Sequence, residues 1–144
     1  MGIWFSISTL SCNWETRPEN GLAYLFEDEK KLTWPKADEQ CKTFGGSLAI
    51  PRFNEDQNFI VNYLQKHNKT GYYYIGGMKS DSGLWTWIDG TPIGPPLHWG
   101  PGEPNNNYNV GNNEDCLELR KYEGIFQWND IPCYNLNGYV CQCT

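Results

Sequence analysis

The chain has 144 residues, a formal charge of −6, and 19% charged against 15% aromatic residues. At roughly 100–200 residues per domain this is one domain. The acidic balance excludes the basic footprint of a nucleic-acid binder and a polybasic membrane anchor, and no apolar run approaches the roughly 20 residues of a membrane span.

Residues 1–11 (MGIWFSISTLS) are mildly apolar but lack the charged n-region of a signal peptide. They read as an N-terminal segment, a mature start or an expression remnant, ahead of a single domain over 12–144. Leu22 to Phe26 is a first candidate strand. Thr33 is placed to cap a helix, with Pro35 in its first turn, where a missing N–H is harmless. Trp34, Ala37, Cys41 and Phe44 then fall on one helical face, and Gly45-Gly46 stops it. A second helix starts at Asn54 with Gln57 three residues on, a capping-box variant. Its apolar stripe is Phe59, Ile60, Tyr63 and Leu64, and it ends between Lys66 and Asn68.

Strands follow. Tyr72-Tyr73-Tyr74-Ile75 is aromatic and β-branched and is expected to end at Gly76-Gly77. Trp85-Thr86-Trp87-Ile88 ends in the turn Asp89-Gly90. Cys116 to Leu119, Ile125 to Trp128 and Tyr139 to Cys143 are three more. Helices first and most strands later argue for an α+β domain with antiparallel sheets.

Between Gly90 and Asp115 there is no periodicity. That stretch holds Pro92, Pro95, Pro96, Pro101 and Pro104, and six asparagines between 105 and 113. A structureless segment this long inside a small domain is commonly functional or disordered. Its polar residues are oxygen donors, the type that hard cations such as calcium take; a solvated Asn/Gly-rich turn region has the same composition.

Six cysteines in a small acidic chain point to disulfides and an oxidising compartment, hence secretion. Metal thiolates are the alternative, but no CxxC or HxxxH spacing supports them. His67 and His98 are isolated and are expected at the surface rather than as ligands. Asn68-Lys69-Thr70 is an N-glycosylation sequon at Asn68.

Glu103-Pro104-Asn105, then Asn113-Glu114-Asp115-Cys116, then Trp128-Asn129-Asp130 before Cys133, resemble the calcium and sugar site of C-type lectins, in the EPN, mannose-type branch. Other landmarks fall in order. Tyr74-Ile75-Gly76-Gly77 resembles the family's WIGL segment. Trp85-Thr86-Trp87-Ile88-Asp89-Gly90 resembles its W-x-W-x-D-G segment, and Tyr139-Val140-Cys141 its closing F-V-C. The resemblance covers residues 12 to 143.

It implies a double-loop α+β domain with disulfides Cys41–Cys141 and Cys116–Cys133. Cys12 and Cys143 remain; the family's terminal strands run side by side, which implies Cys12–Cys143, with an interchain bridge as the rival. It implies one principal calcium held by Glu103, Asn105, Glu114, Asn129 and Asp130, and a cis peptide at Pro104. Sugar contacts would come from Glu103, Asn105, Glu114 and Asn129. The Glu-Pro-Asn order implies mannose-class sugars with equatorial 3- and 4-hydroxyls.

Between Asn105 and Glu114 the chain has eight residues, more than the mannose-binding pattern has; the added residues are either a contact to a second sugar, with Tyr108 stacking, or a loose insertion. The auxiliary calcium site of the family has little counterpart here, with Asp81 and Asp115 as its candidates. Trp85, Trp87, Trp99 and Trp128 stand in core motif positions, although any could be a sugar platform.

The expected partners are mannose-type glycans, glycoproteins or microbial surface polysaccharides, as in innate immunity, with homo-oligomers formed through the domain's own surface. A non-sugar module on the same fold is the rival function. No nucleophile, Ser/His/Asp set or cofactor motif supports an enzyme.

Overall fold

The computed structural model describes residues 15–17, 21–106 and 115–143. Among these, the strands are β1 (Glu15–Arg17), β2 (Leu22–Leu32), β3 (Ser47–Leu48), β4 (Tyr73–Lys79), β5 (Trp85–Trp87), β6 (Cys116–Tyr122), β7 (Ile125–Ile131) and β8 (Asn137–Cys143). The helices are α1 (Trp34–Thr43) and α2 (Asn54–Lys66).

Both helices follow their apolar stripes. In α1, Ala37 and Cys41 are fully buried and Trp34 nearly so. Thr33 stands at the N-cap position with Pro35 behind it, but its side chain makes no capping bond. In α2, Ile60 and Leu64 reach the core, while Phe59 and Tyr63 stack on Tyr24 and Phe26 of β2, the latter pair at 3.9 Å between ring centroids. The expected capping box is absent. The N-cap is Phe53, and Gln57 is buried with its side-chain oxygen accepting from Trp128 Nε1 at 3.0 Å. A tertiary hydrogen bond has displaced a local one, tying α2 to the strand that carries Asn129 and Asp130.

The sheet order is β1-β2-β8-β4-β6-β7, with β3 added to β8 and β5 to β4. The pairing is antiparallel except between β4 and β8, which run parallel through Tyr73–Gly138 and Tyr74–Tyr139. The sheet is therefore mixed rather than wholly antiparallel. The last strand enters between β2 and β4 and joins the two halves of the domain.

Strand β4 does not stop at Gly76-Gly77. It runs through both glycines to Lys79 and pairs there with β5, Gly77 opposite Trp87 and Lys79 opposite Trp85. A Cβ on Gly77 would lie 2.5 Å from a Leu117 methyl, so this glycine marks close packing of β4 on β6, not a break.

The two disulfides implied by the resemblance are present. Cys41–Cys141 ties α1 to β8 across a sequence separation of 100, and Cys116–Cys133 ties the start of β6 to the residue pair after β7 across 17. Cys143 is buried and disulfide-bonded; Cys12 lies outside the described residues.

Candidate functional site

The segment before Glu103 is laid along β7. Trp128 N donates to the His98 carbonyl at 2.7 Å and Gly100 N to the Trp128 carbonyl at 2.8 Å, so residues 98–100 act as a short parallel extension of the sheet. Gly100-Pro101-Gly102-Glu103 then turns the chain back, closed by Glu103 N donating to the Gly100 carbonyl at 3.0 Å. Proline in the second place and glycine at φ +79° in the third are what a type II turn requires. The Tyr122 ring lies over Gly100, and its hydroxyl donates to Glu103 Oε2 at 2.9 Å. Burial, and then the Glu103 carboxylate, push the Tyr122 hydroxyl well above its ordinary pKa, so it stays a donor.

The Glu103–Pro104 peptide is cis. Directly after it the two motifs meet. Asn105 N donates to Asp130 Oδ1 at 3.0 Å, and Asn106 N to Asp130 Oδ2 at 2.7 Å. Asp130 is fully buried, while the Asn105 and Asn106 side chains are exposed. Residues 25 apart in sequence are thus held by one carboxylate. Each carboxylate oxygen carries two lone pairs, so each can accept an amide and still face a cation.

Asn129 sits opposite Glu118 in the β6–β7 register. Its Nδ2 donates to Glu118 Oε2 at 2.8 Å, while Asn137 Nδ2 donates to Oε1 at 2.8 Å. Glu118 is fully buried. Because a carboxylate accepts only, it directs the Asn129 amide nitrogen inward. That leaves Asn129 Oδ1 and one N–H for other work.

Tryptophans support the site from below. Trp128 is fully buried at the centre of edge-to-face contacts with Trp87 at 5.6 Å, Trp99 at 5.7 Å and His98 at 5.3 Å. Trp87 is buried; Trp85 and Trp99 are half-buried. His98 is not the surface residue expected. It is half-buried against Trp128, its Nε2 has no partner among the described residues, and burial lowers its pKa. His67 is exposed.

Of the sequence-predicted residues, Glu103, Pro104, Asn105, Asn129 and Asp130 come to this one end of the sheet. Glu114 and Tyr108 lie outside the described residues. Asn68 is exposed just past α2, with φ of 54°. Asp81 and Asp115 line a cavity of about 280 Å³ with Lys79 and Asn106.

The set is oxygen-rich and free of sulfur and imidazole, which suits a hard cation. Among the described residues no three His, Cys, Asp or Glu side chains form a metal cluster; amide oxygens would have to supply part of any coordination. Glu118, Tyr122 and Lys79 surround the set and had no motif to mark them. Glu118 in particular reads as the outward residue of an alternating strand.

The fold is a two-helix, mixed-sheet, disulfide-bonded α+β domain with an oxygen-rich site at one end, and its family follows from its similarity to known proteins. The Lectin C-type domain family matches residues 30–143. A C-type lectin mannose-binding isoform of Oxyuranus scutellatus is 34% identical over 137 residues, covering 92% of this chain and 83% of that protein. CD209 antigen-like protein A of Mus musculus is 33% identical over 135 residues, and the chain spans only 52% of its length. Among solved structures, the C-type lectin domain of murine dendritic cell inhibitory receptor 2 in complex with N-glycan superposes with a TM-score of 0.74 at 29% identity, covering 85% of this chain and 91% of that one. The chain belongs to the C-type lectin family.

Proposed function

We propose that this domain binds mannose-class sugars through one calcium ion held by Glu103, Asn105, Glu114, Asn129 and Asp130, with the Asp130 carbonyl as a further oxygen. The observation that carries the reading is the double hydrogen bond from Asn105 and Asn106 to Asp130, which sets the EPN segment beside the WND strand. A relative named as mannose-binding and a neighbour solved with an N-glycan support it.

Bound calcium would supply a Lewis-acid centre for two vicinal sugar hydroxyls. The protein does the rest. Each hydroxyl needs an acceptor for its proton and a donor for its remaining lone pair, and Glu–Asn pairs provide both. Glu103 with Asn105 serves one hydroxyl, and Glu114 with Asn129 the other. Tyr122 and Glu118 hold Glu103 and Asn129 in orientation, so less freedom is lost on binding. In the Glu-Pro-Asn order, the carboxylate precedes the amide; reversing that order reverses the donor and acceptor positions offered to the sugar.

The double variant Glu103→Gln/Asn105→Asp tests this. Loss of a charge-assisted hydrogen bond is worth about 1.5–3 kcal/mol, so mannose affinity should fall by about tenfold or more, with galactose binding gained. Unchanged mannose affinity on a monosaccharide titration would remove the basis for the mannose assignment.

The disulfides fit an oxidising, extracellular setting. Among the described residues no helix is long and apolar enough to cross a membrane. A single site of this kind binds a monosaccharide weakly, so useful avidity toward glycoproteins or microbial polysaccharides calls for several domains acting together.

A further inference from the structure

The calcium reading leaves Lys79 without a role, yet its side chain is only 18% exposed at the edge of the site. It is the last residue of β4, rigidly placed by pairing with Trp85 of β5. Its ammonium donates to Asn106 Oδ1 at 3.2 Å, lies 3.5 Å from Asp115 Oδ1, and sits 5.8 Å from the centroid of the Trp85 ring. The Lys79 amide also donates to the Asp115 carbonyl at 2.8 Å, so Asp115 is held at backbone and side chain together. Asn106 is held from two sides, by Lys79 through its side chain and by Asp130 through its amide.

Asn106 and Asp115 are the residues that bracket positions 107–114 in the chain. Asn106 directly follows Asn105, and Asp115 directly follows Glu114. One ammonium therefore touches the neighbours of two proposed calcium ligands that are nine residues apart in sequence. An ammonium is a compact charge with three donors. Here two of its neighbours are oxygens, one of them on a carboxylate. Residues outside that pair, Ser80, Asp81 and Gly83, complete the lining of the same cavity.

We propose that Lys79 is a resident cation that fixes the spacing of Asn106 and Asp115, and is thereby a positioning residue for the calcium site. This rests on the calcium reading above. Two opposite effects are at stake. If the ammonium mainly organises the ligands, removing it weakens calcium binding. If it mainly repels a second cation nearby, removing it tightens calcium binding. The number and direction of its contacts favour organisation. The ammonium already neutralises the Asp115 side of the cavity, so one calcium per chain is implied.

The test compares the whole chain with Lys79→Met and Lys79→Arg. Calcium is titrated by tryptophan fluorescence and calorimetry, and amide hydrogen exchange at Asn105 and Asn106 is followed in EDTA. Lys79→Met should weaken calcium binding by about tenfold, the scale for partners that orient metal ligands. It should also speed exchange at those two amides by about tenfold without calcium. Lys79→Arg, which keeps the charge, should stay nearer the wild type on both readouts. Equal or tighter calcium binding in Lys79→Met overturns the proposal, as does a wild-type stoichiometry of two. If even the wild type binds no calcium, the functional reading fails; exchange in EDTA then decides on Lys79 alone, faster in Lys79→Met supporting its clamp role and unchanged exchange ending it.

Discussion

Replacing Asp130 by alanine should weaken calcium binding at the proposed site by about a hundredfold or more while leaving the fold in place. The carboxylate is fully buried and accepts the amides of Asn105 and Asn106. Hydrogen bonds to a charged group are worth about 1.5–3 kcal/mol each. Both are lost in the variant, but the two bonds are only partly buried, at exposed residues, so water entering the vacated space can satisfy the amides. The damage therefore falls on the position of the EPN segment rather than on the core. The proposed calcium loses one ligand outright and the placement of another. A drop in calcium affinity of about a hundredfold or more is expected, beyond the usual cost of disturbing an outer partner. Asp130→Asn should be nearly as damaging. Its amide nitrogen would face a backbone N–H, donor against donor, while the negative charge is gone. Calcium titration of both variants, with far-UV circular dichroism as the check on folding, makes the measurement. An affinity within about threefold of the wild type in a folded variant would contradict the role given to Asp130.

The second large effect concerns stability. Cys41 and Cys141 are fully buried and join α1 to the central strand β8 across a separation of 100 residues. In the chain-entropy account, closing a loop of that size restrains the unfolded chain by about 4–5 kcal/mol. A domain's whole stability is about 5–15 kcal/mol. The pair Cys41→Ala/Cys141→Ala should therefore lose roughly 3–5 kcal/mol, read as a large fall in the urea midpoint. Alanine is the suitable replacement, because serine would leave a hydroxyl in an apolar site. Removing Cys116–Cys133, which spans 17 residues, should cost about 3 kcal/mol. It should also act closer to the site, because Cys116 opens β6 and Cys133 follows β7. A loss below about 1 kcal/mol for the long bridge would show that the unfolded chain is restrained by other means.

Much of this molecule could be read from its residues. The two helices announced themselves because Trp34, Ala37 and Cys41, and Ile60 with Leu64, recur at helical spacing and must bury that face. The order of Glu103-Pro104-Asn105, Cys116 and Trp128-Asn129-Asp130 carried the family, and with it the two bridges now seen. What stayed hidden was tertiary. Gly76-Gly77 looked like a strand end, but Gly77 makes room for Leu117 from β6 and Gly76 for the Leu48 and Ala49 carbonyls, which no local pattern reveals. Gln57 looked like half of a capping box, and was instead drawn to Trp128. Glu118 stands between Leu117 and Leu119 with no motif to mark it; its burial makes sense only once Asn129 and Asn137 donate to its two oxygens. The parallel pairing of β4 with β8 depends on where the C-terminal strand inserts, a choice that spacing cannot encode. His98 was lost for a similar reason, since its burial comes from the Trp128 ring on a distant strand.

The site is thus a set of oxygen donors whose positions are dictated by buried neighbours. Tyr122 holds Glu103, Glu118 holds Asn129, and Asp130 holds the backbone after the EPN segment. Such support lowers the reorganisation that the proposed calcium and sugar binding would require. Acid should release both, because the carboxylates must be ionised to hold the metal.

The most direct test of calcium-dependent mannose-class binding is retention of the purified domain on mannan-agarose in calcium, followed by elution with EDTA. Retention in calcium and complete release by EDTA are expected. Passage straight through the column in calcium, or retention that persists in EDTA, would contradict calcium-dependent mannose-class binding.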